Sequence, residues 1–470
     1  MRKEVNHPST RRPAGPRLRA LGAAAALLFA LAACSSSPPP EPAPPPPAAE
    51  TQPSAPVLPP QPTITQPAGP SAPIVSETRL IPPRPGAPTP IKIGLLLPLS
   101  GPNAEIGQAL LNAAQIALFD ARDPRLMLLP GDTGATPEGA VAAANQVLSE
   151  GAQLLLGPLF ATAAPAVGEV ARARGVNVVT FSNDRRVAGN GVFVLGLTPE
   201  QQIMRVIAGA RRDGLSRFAL LAPDSPYGRS VADALRVALL RYGGSLVREE
   251  IYPATLDPGG DEMHATIRRL ADYEARRRAL QEQRRALTAR QDAVAKRALR
   301  RLETLDTFGD LDYDAVVLPE GGGRLRAIAP LLPFYDIDTS KQRLIGTGLW
   351  AEPGLGKEPA MVGGWFAAPE PGNAEVFSDR YKAAYGTVPP RIASLAYDAL
   401  ALAAALANEA DGADFSVTAL ESPGGFLGYD GIFRFGPDGV AERGLAILEI
   451  TAEGTRVRSP APIRFEDIGS

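Results

Sequence analysis

The chain has 470 residues, is 45% hydrophobic, and carries 48 Lys/Arg against 50 Asp/Glu for a formal net charge of −2. That length can bury large cores and exceeds one average domain. One cysteine excludes a disulfide framework, and two histidines leave no His pair with metal spacing. The average charge hides an asymmetry. Residues 1–33 carry +5 and residues 268–301 carry +8, which leaves −15 on the rest. An acidic body with one basic element does not read as a nucleic-acid protein. It points to a specific docking surface.

In chain order, a cationic start is followed by an apolar segment, 21–33. The segment is too short and Ala-rich for a good membrane span, and reads as the core of a secretory signal over residues 1–33. It ends in Leu31-Ala32-Ala33-Cys34. That motif resembles a bacterial lipobox, which implies that Cys34 is the lipidated first residue of the mature chain. Ser35 in place of Asp resembles the outer-membrane sorting pattern, so a lipid anchor on the periplasmic face of the outer membrane is expected. Residues 35–90 hold 21 prolines, four of them consecutive at Pro44 to Pro47. Such a stretch buries no core and favours polyproline II, with an upper reach on the order of 170 Å. Residues 34–90 are expected to be a disordered, lipid-anchored linker.

The folded region begins at Ile91–Leu97, an apolar run suited to a buried parallel strand. A Pro/Ser/Gly/Asn turn follows, then a helical pattern with Ile106, Leu110, Ala113, Ala114 and Ala117 on one face. Strands are expected at 125–130, 154–156, 176–181 and 192–197, with helices at 138–149 and 163–174 between them. A second series follows: helices at 201–212, 229–242 and 324–334, and strands at 217–222, 245–252, 313–318 and 343–346. Alternating strands and helices predict an α/β fold with two parallel sheets flanked by helices.

Several stretches carry a resemblance. Residues 93–108, Gly157-Pro158-Leu159, the Asp224…Tyr227-Gly228 segment and Tyr381 to Gly386 with the helix after it resemble type 1 periplasmic binding proteins of the leucine/isoleucine/valine-binding class. The likeness covers residues 91–465. It implies a two-lobed fold whose chain crosses three times between lobes: lobe 1 at 91–200 and 366–425, lobe 2 at 201–365 and 426–465. Within that class, the lipobox, Asp312 to Pro319 and Ile328 to Tyr335 look like the C-terminal domain of penicillin-binding protein activators of the LpoA type. That implies a partner, a class A penicillin-binding protein (a peptidoglycan synthase), and a role in activating cell-wall synthesis. The alternative is a solute-binding protein for amino acids or related small molecules that feeds an ABC transporter.

Loops at strand C-terminal ends would line the cleft: Ser100, Gly101, Ala161, Thr162, Ser182, Asn183, Asp184, Tyr227, Glu320 and Trp350. In amino-acid-binding relatives a lobe-1 loop supplies a hydroxyl and helix N-terminal amides to the ligand carboxylate. Here Ala161 occupies the hydroxyl position unless a register shift brings in Thr162, and Asp184 would repel a nearby carboxylate. The resemblance therefore implies a damaged amino-acid clamp and leaves the ligand unnamed.

The basic element, 261–306, has no Gly or Pro from Ala271 to Leu305 and is rich in helix formers. Tyr273, Leu280, Leu287 and Val294 recur seven apart. Such a narrow stripe predicts either a helical hairpin or an arm that meets a partner. Its docking candidates are Arg276, Arg277, Arg278, Arg284 and Arg285, facing an acidic protein surface or an anionic wall polymer. No enzyme site emerges, because no thiol nucleophile, His cluster or recognisable carboxylate pair is present. No cofactor is expected either.

Overall fold

The computed structural model describes residues 89–290, 292–409 and 412–468. The signal segment, Cys34 and the proline-rich linker up to residue 88 lie outside the described residues. The chain opens with β1 (Ile91–Leu97), α1 (Ala104–Ala121), β2 (Leu126–Asp132), α2 (Pro137–Ser149), β3 (Leu154–Leu156), α3 (Ala164–Arg172), β4 (Asn177–Thr180) and β5 (Val192–Val194). All five strands run parallel in the order β2-β1-β3-β4-β5. β1 is apolar throughout because both its faces are covered. Ile93, Leu95 and Leu97 pack against one helix layer, and Leu96 packs with α2 and α3 on the other. Gly107 lets α1 start directly over β1. A Cβ there would lie 2.0 Å from the Pro98 carbonyl oxygen.

The chain then crosses into α4 (Pro199–Arg212), β6 (Arg217–Asp224), α5 (Pro226–Tyr242), β7 (Ser245–Pro253), α6 (Asp261–Leu270), α7 (Tyr273–Arg290) and α8 (Ala293–Leu302). It continues through β8 (Ala315–Val317), α9 (Gly322–Ile328), α10 (Leu331–Phe334), β9 (Arg343–Gly346) and β10 (Trp365–Ala368). The helix expected over 324–334 is split because Pro330 cannot continue it and instead caps α10. A second crossing leads to α11 (Pro371–Tyr385), α12 (Ala393–Ala407), α13 (Val417–Leu420) and a small antiparallel sheet, β11 (Phe426–Gly428), β12 (Gly431–Phe435) and β13 (Ala441–Arg443). A third returns the chain to β14 (Ala446–Thr451) and β15 (Gly454–Ser459).

The second sheet has seven strands in the order β15-β14-β10-β9-β8-β6-β7, with β14 antiparallel to both of its neighbours, β10 and β15. Phe218, Leu220 and Ala222 pack under α4 and α5, while Ala219 and Leu221 face the core with α6, α9 and α10. The two-lobed architecture expected from sequence is the observed one. Two crossings move. Phe366 to Ala368 belong to β10 in the second sheet, where Phe366 pairs with Leu448. Phe433, Phe435 and Ala441 pack into the first lobe's core, so that lobe extends to about residue 443.

The basic element is a hairpin. Leu280 and Leu287 of α7 meet Ala295 and Leu302 of α8 in a small separate core. Val294, the fourth residue of the heptad stripe, is 70% exposed. α7 ends at Arg290, and the Asp292 carboxylate accepts the Ala295 N–H at 2.7 Å to start a new helix, which turns Val294 outward.

Candidate functional site

Parallel sheets present their ligand edge where strands end and helices begin. In lobe 1 the neighbouring strands β1, β3 and β4 bring three loops to that edge: Ser100-Gly101, Ala161-Thr162 and Ser182 to Asp184. In lobe 2, β6, β8 and β9 do the same for Tyr227, Glu320 and Trp350.

The β1 loop is held by a residue the sequence reading passed over. The Asp132 carboxylate accepts the N–H groups of Leu99 at 2.8 Å, Ser100 at 3.2 Å and Gly134 at 2.9 Å. Partial burial opposes ionisation of Asp132, but these donors and the Ser100 hydroxyl outweigh it and hold the carboxyl below its usual range. The Gly131-Asp132-Thr133-Gly134 turn was the available signal. The next two loops are tied together by Thr180, whose hydroxyl donates to the Pro158 carbonyl at 2.7 Å. Ser182 is buried and accepts the Asp184 N–H at 3.0 Å.

Polar side chains at this edge differ in availability. Thr162 and Asn183 are exposed, and the Thr162 hydroxyl makes no hydrogen bond among the described residues. Neither α1 nor α3 has a side-chain cap, and backbone carbonyls take the first amides instead: the Ala104 N–H donates to Gly101, the Ala163 N–H to Phe160 at 3.2 Å and the Ala164 N–H to Ala161 at 3.3 Å, while Pro165 has no N–H to offer. Asp184 forms a two-point pair with Arg186, with Nη2 at 2.6 Å, and this bond lowers the Asp184 pKa. Glu320 is buried and accepts the Tyr252 hydroxyl at 2.5 Å and the Arg324 Nε at 3.3 Å. Burial first, then that hydrogen bond, push the Tyr252 hydroxyl far above the usual range. Trp350 is fully buried in the lobe-2 core and donates to the Glu320 carbonyl at 3.0 Å, so it braces the wall and does not face a ligand. Tyr227 is half-buried and donates to Thr347 Oγ1 at 2.8 Å; burial pushes its hydroxyl up to about 12.

The crossings are laced by long polar side chains, none of which the sequence singled out. Buried Arg443 donates to the Leu195 carbonyl at 2.9 Å, and Arg205 donates to Leu445 at 2.8 Å and to Pro460 at 3.1 Å. Glu370 accepts the Ala461 N–H at 2.9 Å. A cavity of about 560 Å³ lies between the β10–β14 face, the loop that follows Trp350 and the start of α11, among Glu352, Phe366, Phe377, Leu448, Ile450 and Arg391. None of the ten cleft candidates lines it.

Of the five arginines offered for docking, two serve the hairpin itself. Arg276 donates to the carbonyls of Gly309 at 3.1 Å and Asp336 at 3.2 Å, and Arg284 closes the end of α8 at Leu302, 2.6 Å away. Arg277, Arg278 and Arg285 are exposed.

A family model described as periplasmic binding protein matches residues 90–455. The Leu/Ile/Val-binding protein BraC3 of Rhizobium johnstonii is 27% identical over 197 residues, which is 40% of this chain and 53% of that protein. The chain spans about half the length of the curated relatives it matches. A structure described as a branched-chain amino acid ABC transporter from Rhodospirillum rubrum superposes with a TM-score of 0.61 at 20% identity, covering 78% of this chain and 99% of that one. A solute-binding protein of an R. palustris ABC transporter, solved with benzoate, superposes at 0.54 with 17% identity, covering 80% and 98%. At these identities the structural likeness establishes the two-lobed fold.

Proposed function

Because this chain belongs to the periplasmic binding protein family, we propose that it is a solute-binding protein that takes a small carboxylate lacking an ammonium group into the interlobe cleft, for delivery to an ABC transporter. The observation that carries this reading is the state of the two carboxylates at the cleft edge. An ammonium needs a free acid, and Asp184 is bound to Arg186 while Glu320 is bound to Tyr252 and Arg324. A carboxylate needs a donor, and the exposed Thr162 hydroxyl, which has no partner among the described residues, supplies one at this edge. The benzoate held by the R. palustris relative is a ligand of that chemical type. Calorimetric titration with benzoate and with leucine tests it. Benzoate is expected to bind and leucine is not; tight leucine binding with no response to benzoate refutes the proposal. Thr162→Val is expected to weaken carboxylate binding by about five- to tenfold, the equivalent of one hydrogen bond.

A second reading is kept for the lipobox-like motif at Cys34 and the proline-rich stretch behind it. In that reading a lipid-anchored chain at the outer membrane activates a class A penicillin-binding protein, and the closed-off ammonium site reflects release from amino-acid transport. Capture of such a synthase from envelope extracts by the tagged full chain supports it. No stimulation of the purified synthase at saturating chain removes it.

A further inference from the structure

The α7–α8 hairpin carries far more charge than its own structure uses. Arg277, Arg278 and Arg285 on α7 and Lys296, Arg297, Arg300 and Arg301 on α8 are all exposed, and among the described residues none makes a hydrogen bond or ion pair with its side chain. Of the acids on or capping these helices, Glu274 is paired with Arg268 and Asp292 with Arg290, which leaves Glu282 and Glu303 as the unpaired local counter-charges. At 100° per residue, Arg278 and Arg285 project from α7 on the side opposite Leu280 and Leu287. Arg297 and Arg300 do the same on α8, opposite Ala295 and Leu302. The outer faces of both helices are therefore cationic, and the small core lies between them.

The tip adds a different chemistry. Ala289, Ala293 and Val294 are exposed there, with Val294 at 70%, and Arg290, Lys296 and Arg297 lie around them. Between the unpaired cations the remaining side chains are mostly alanine and glutamine. A protein partner is gripped by large anchors in pockets, such as Trp, Tyr or a buried Arg, and this face has no aromatic residue from Glu274 to Glu303. What it offers is diffuse positive charge and one shallow aliphatic point. Those are the features that a fluid anionic headgroup layer reads. The remainder of the folded chain is acidic, so an anionic surface would repel the body and attract the hairpin alone, which fixes an orientation as well as an affinity.

We propose that the α7–α8 hairpin is a membrane-surface contact that seats its cationic faces on anionic phospholipid headgroups and dips Val294 below them. The contact is independent of what the cleft binds.

The test uses the full chain with Cys34→Ala, so that no acyl chain is attached, and Val294→Trp as a reporter at the tip itself. The probes are vesicles of phosphatidylcholine alone and of phosphatidylcholine mixed with phosphatidylglycerol. The expected result is a blue shift of the new tryptophan with phosphatidylglycerol vesicles only. About 0.5 M salt, where screening reaches a few ångströms, should reverse it. Arg277→Glu, Arg278→Glu and Arg285→Glu together should remove the shift and lower the bound fraction at least tenfold with an unchanged melting temperature. Equal response to both vesicle types, no response to either, or a triple variant that folds and still gives the shift overturns the proposal. So does binding to soluble polyglutamate without any response to vesicles, which would assign the face to an acidic polypeptide.

Discussion

Asp398 sits at 1% exposure on α12 and faces Asp430, also at 1%, across the β11–β12 turn. Its two oxygens accept the N–H groups of Tyr429 at 2.7 Å and Asp430 at 3.1 Å. Asp430 in turn pairs with Arg391 at 2.8 Å and accepts the Ser394 hydroxyl at 3.1 Å. Arg443, stacked 4.9 Å above the Phe433 ring, completes the cluster and reaches the first crossing through the Leu195 carbonyl. Burial and then the Asp430 charge push the Asp398 carboxyl up to about 7, against the opposing pull of Arg443 and the two backbone donors. A carboxyl raised this way favours the neutral form in the fold. Its contribution to stability is complete below the unfolded value of 3.8 and is lost as pH rises through about 7.

The size follows from the shift. Moving from 3.8 to about 7 corresponds to about 4 kcal/mol across that window, at about 1.4 kcal/mol per pH unit. For the folded region described between residues 89 and 468 the unfolding entropy is about 0.8 kcal/mol per kelvin, so the melting temperature changes by roughly 5 °C. The assay is thermal unfolding of the wild type and of Asp398→Asn between about pH 4 and pH 8, which spans most of that window. The amide mimics the neutral acid but keeps one acceptor, so the variant should carry a pH-independent loss of about 1 kcal/mol. The wild type should lose stability towards pH 8 while the variant does not follow. Parallel curves would refute the argument, because they would mean that Asp398 is ionised throughout and is fully matched by Arg443 and Arg391.

Leu95 is fully buried in β1, and Leu95→Ala should cost about 2–5 kcal/mol in chemical denaturation with an unchanged slope. Arg276→Ala removes the tie from α7 to Gly309 and Asp336, so amides of α7 should exchange faster with solvent, whereas Arg278→Ala should leave them unchanged. Tyr227→Phe deletes the hydrogen bond to Thr347 and should cost about 1 kcal/mol of stability.

How far the sequence could be read depended on the distance over which each feature is decided. Ile91–Leu97 announced a doubly covered strand because burial on both faces leaves an uninterrupted apolar run. The split of the helix expected unbroken over 324–334 was just as local in origin and was overlooked, although Pro330 is in plain view. The crossings were not local. Phe366 joins the second sheet by pairing with Leu448, and Phe433 packs into a core begun at Ile91, so neither boundary leaves a mark in its own neighbourhood. The heptad stripe misled at Val294 because a capping Asp292 outweighs one more turn of α7.

The same distinction decides which charges are free to act. Asp184 and Arg186 are two residues apart, so their pairing was readable as a turn, but Glu320 is closed off by Tyr252, 68 positions earlier in the chain. Among the arginines, Arg276 and Arg278 are indistinguishable by composition. One points at the carbonyl of Asp336, 60 positions away, and the other at solvent. A helix places neighbouring residues 100° apart, so an Arg-Arg-Arg run must divide between the body and the outside. The free cations are the remainder after the fold has taken those it needs at the hairpin base, whereas at the cleft edge Arg186 has taken Asp184, and Tyr252 and Arg324 have taken Glu320. Both proposals rest on that remainder: a cleft left with a donor and no available acid, and a hairpin left with cations and little counter-charge.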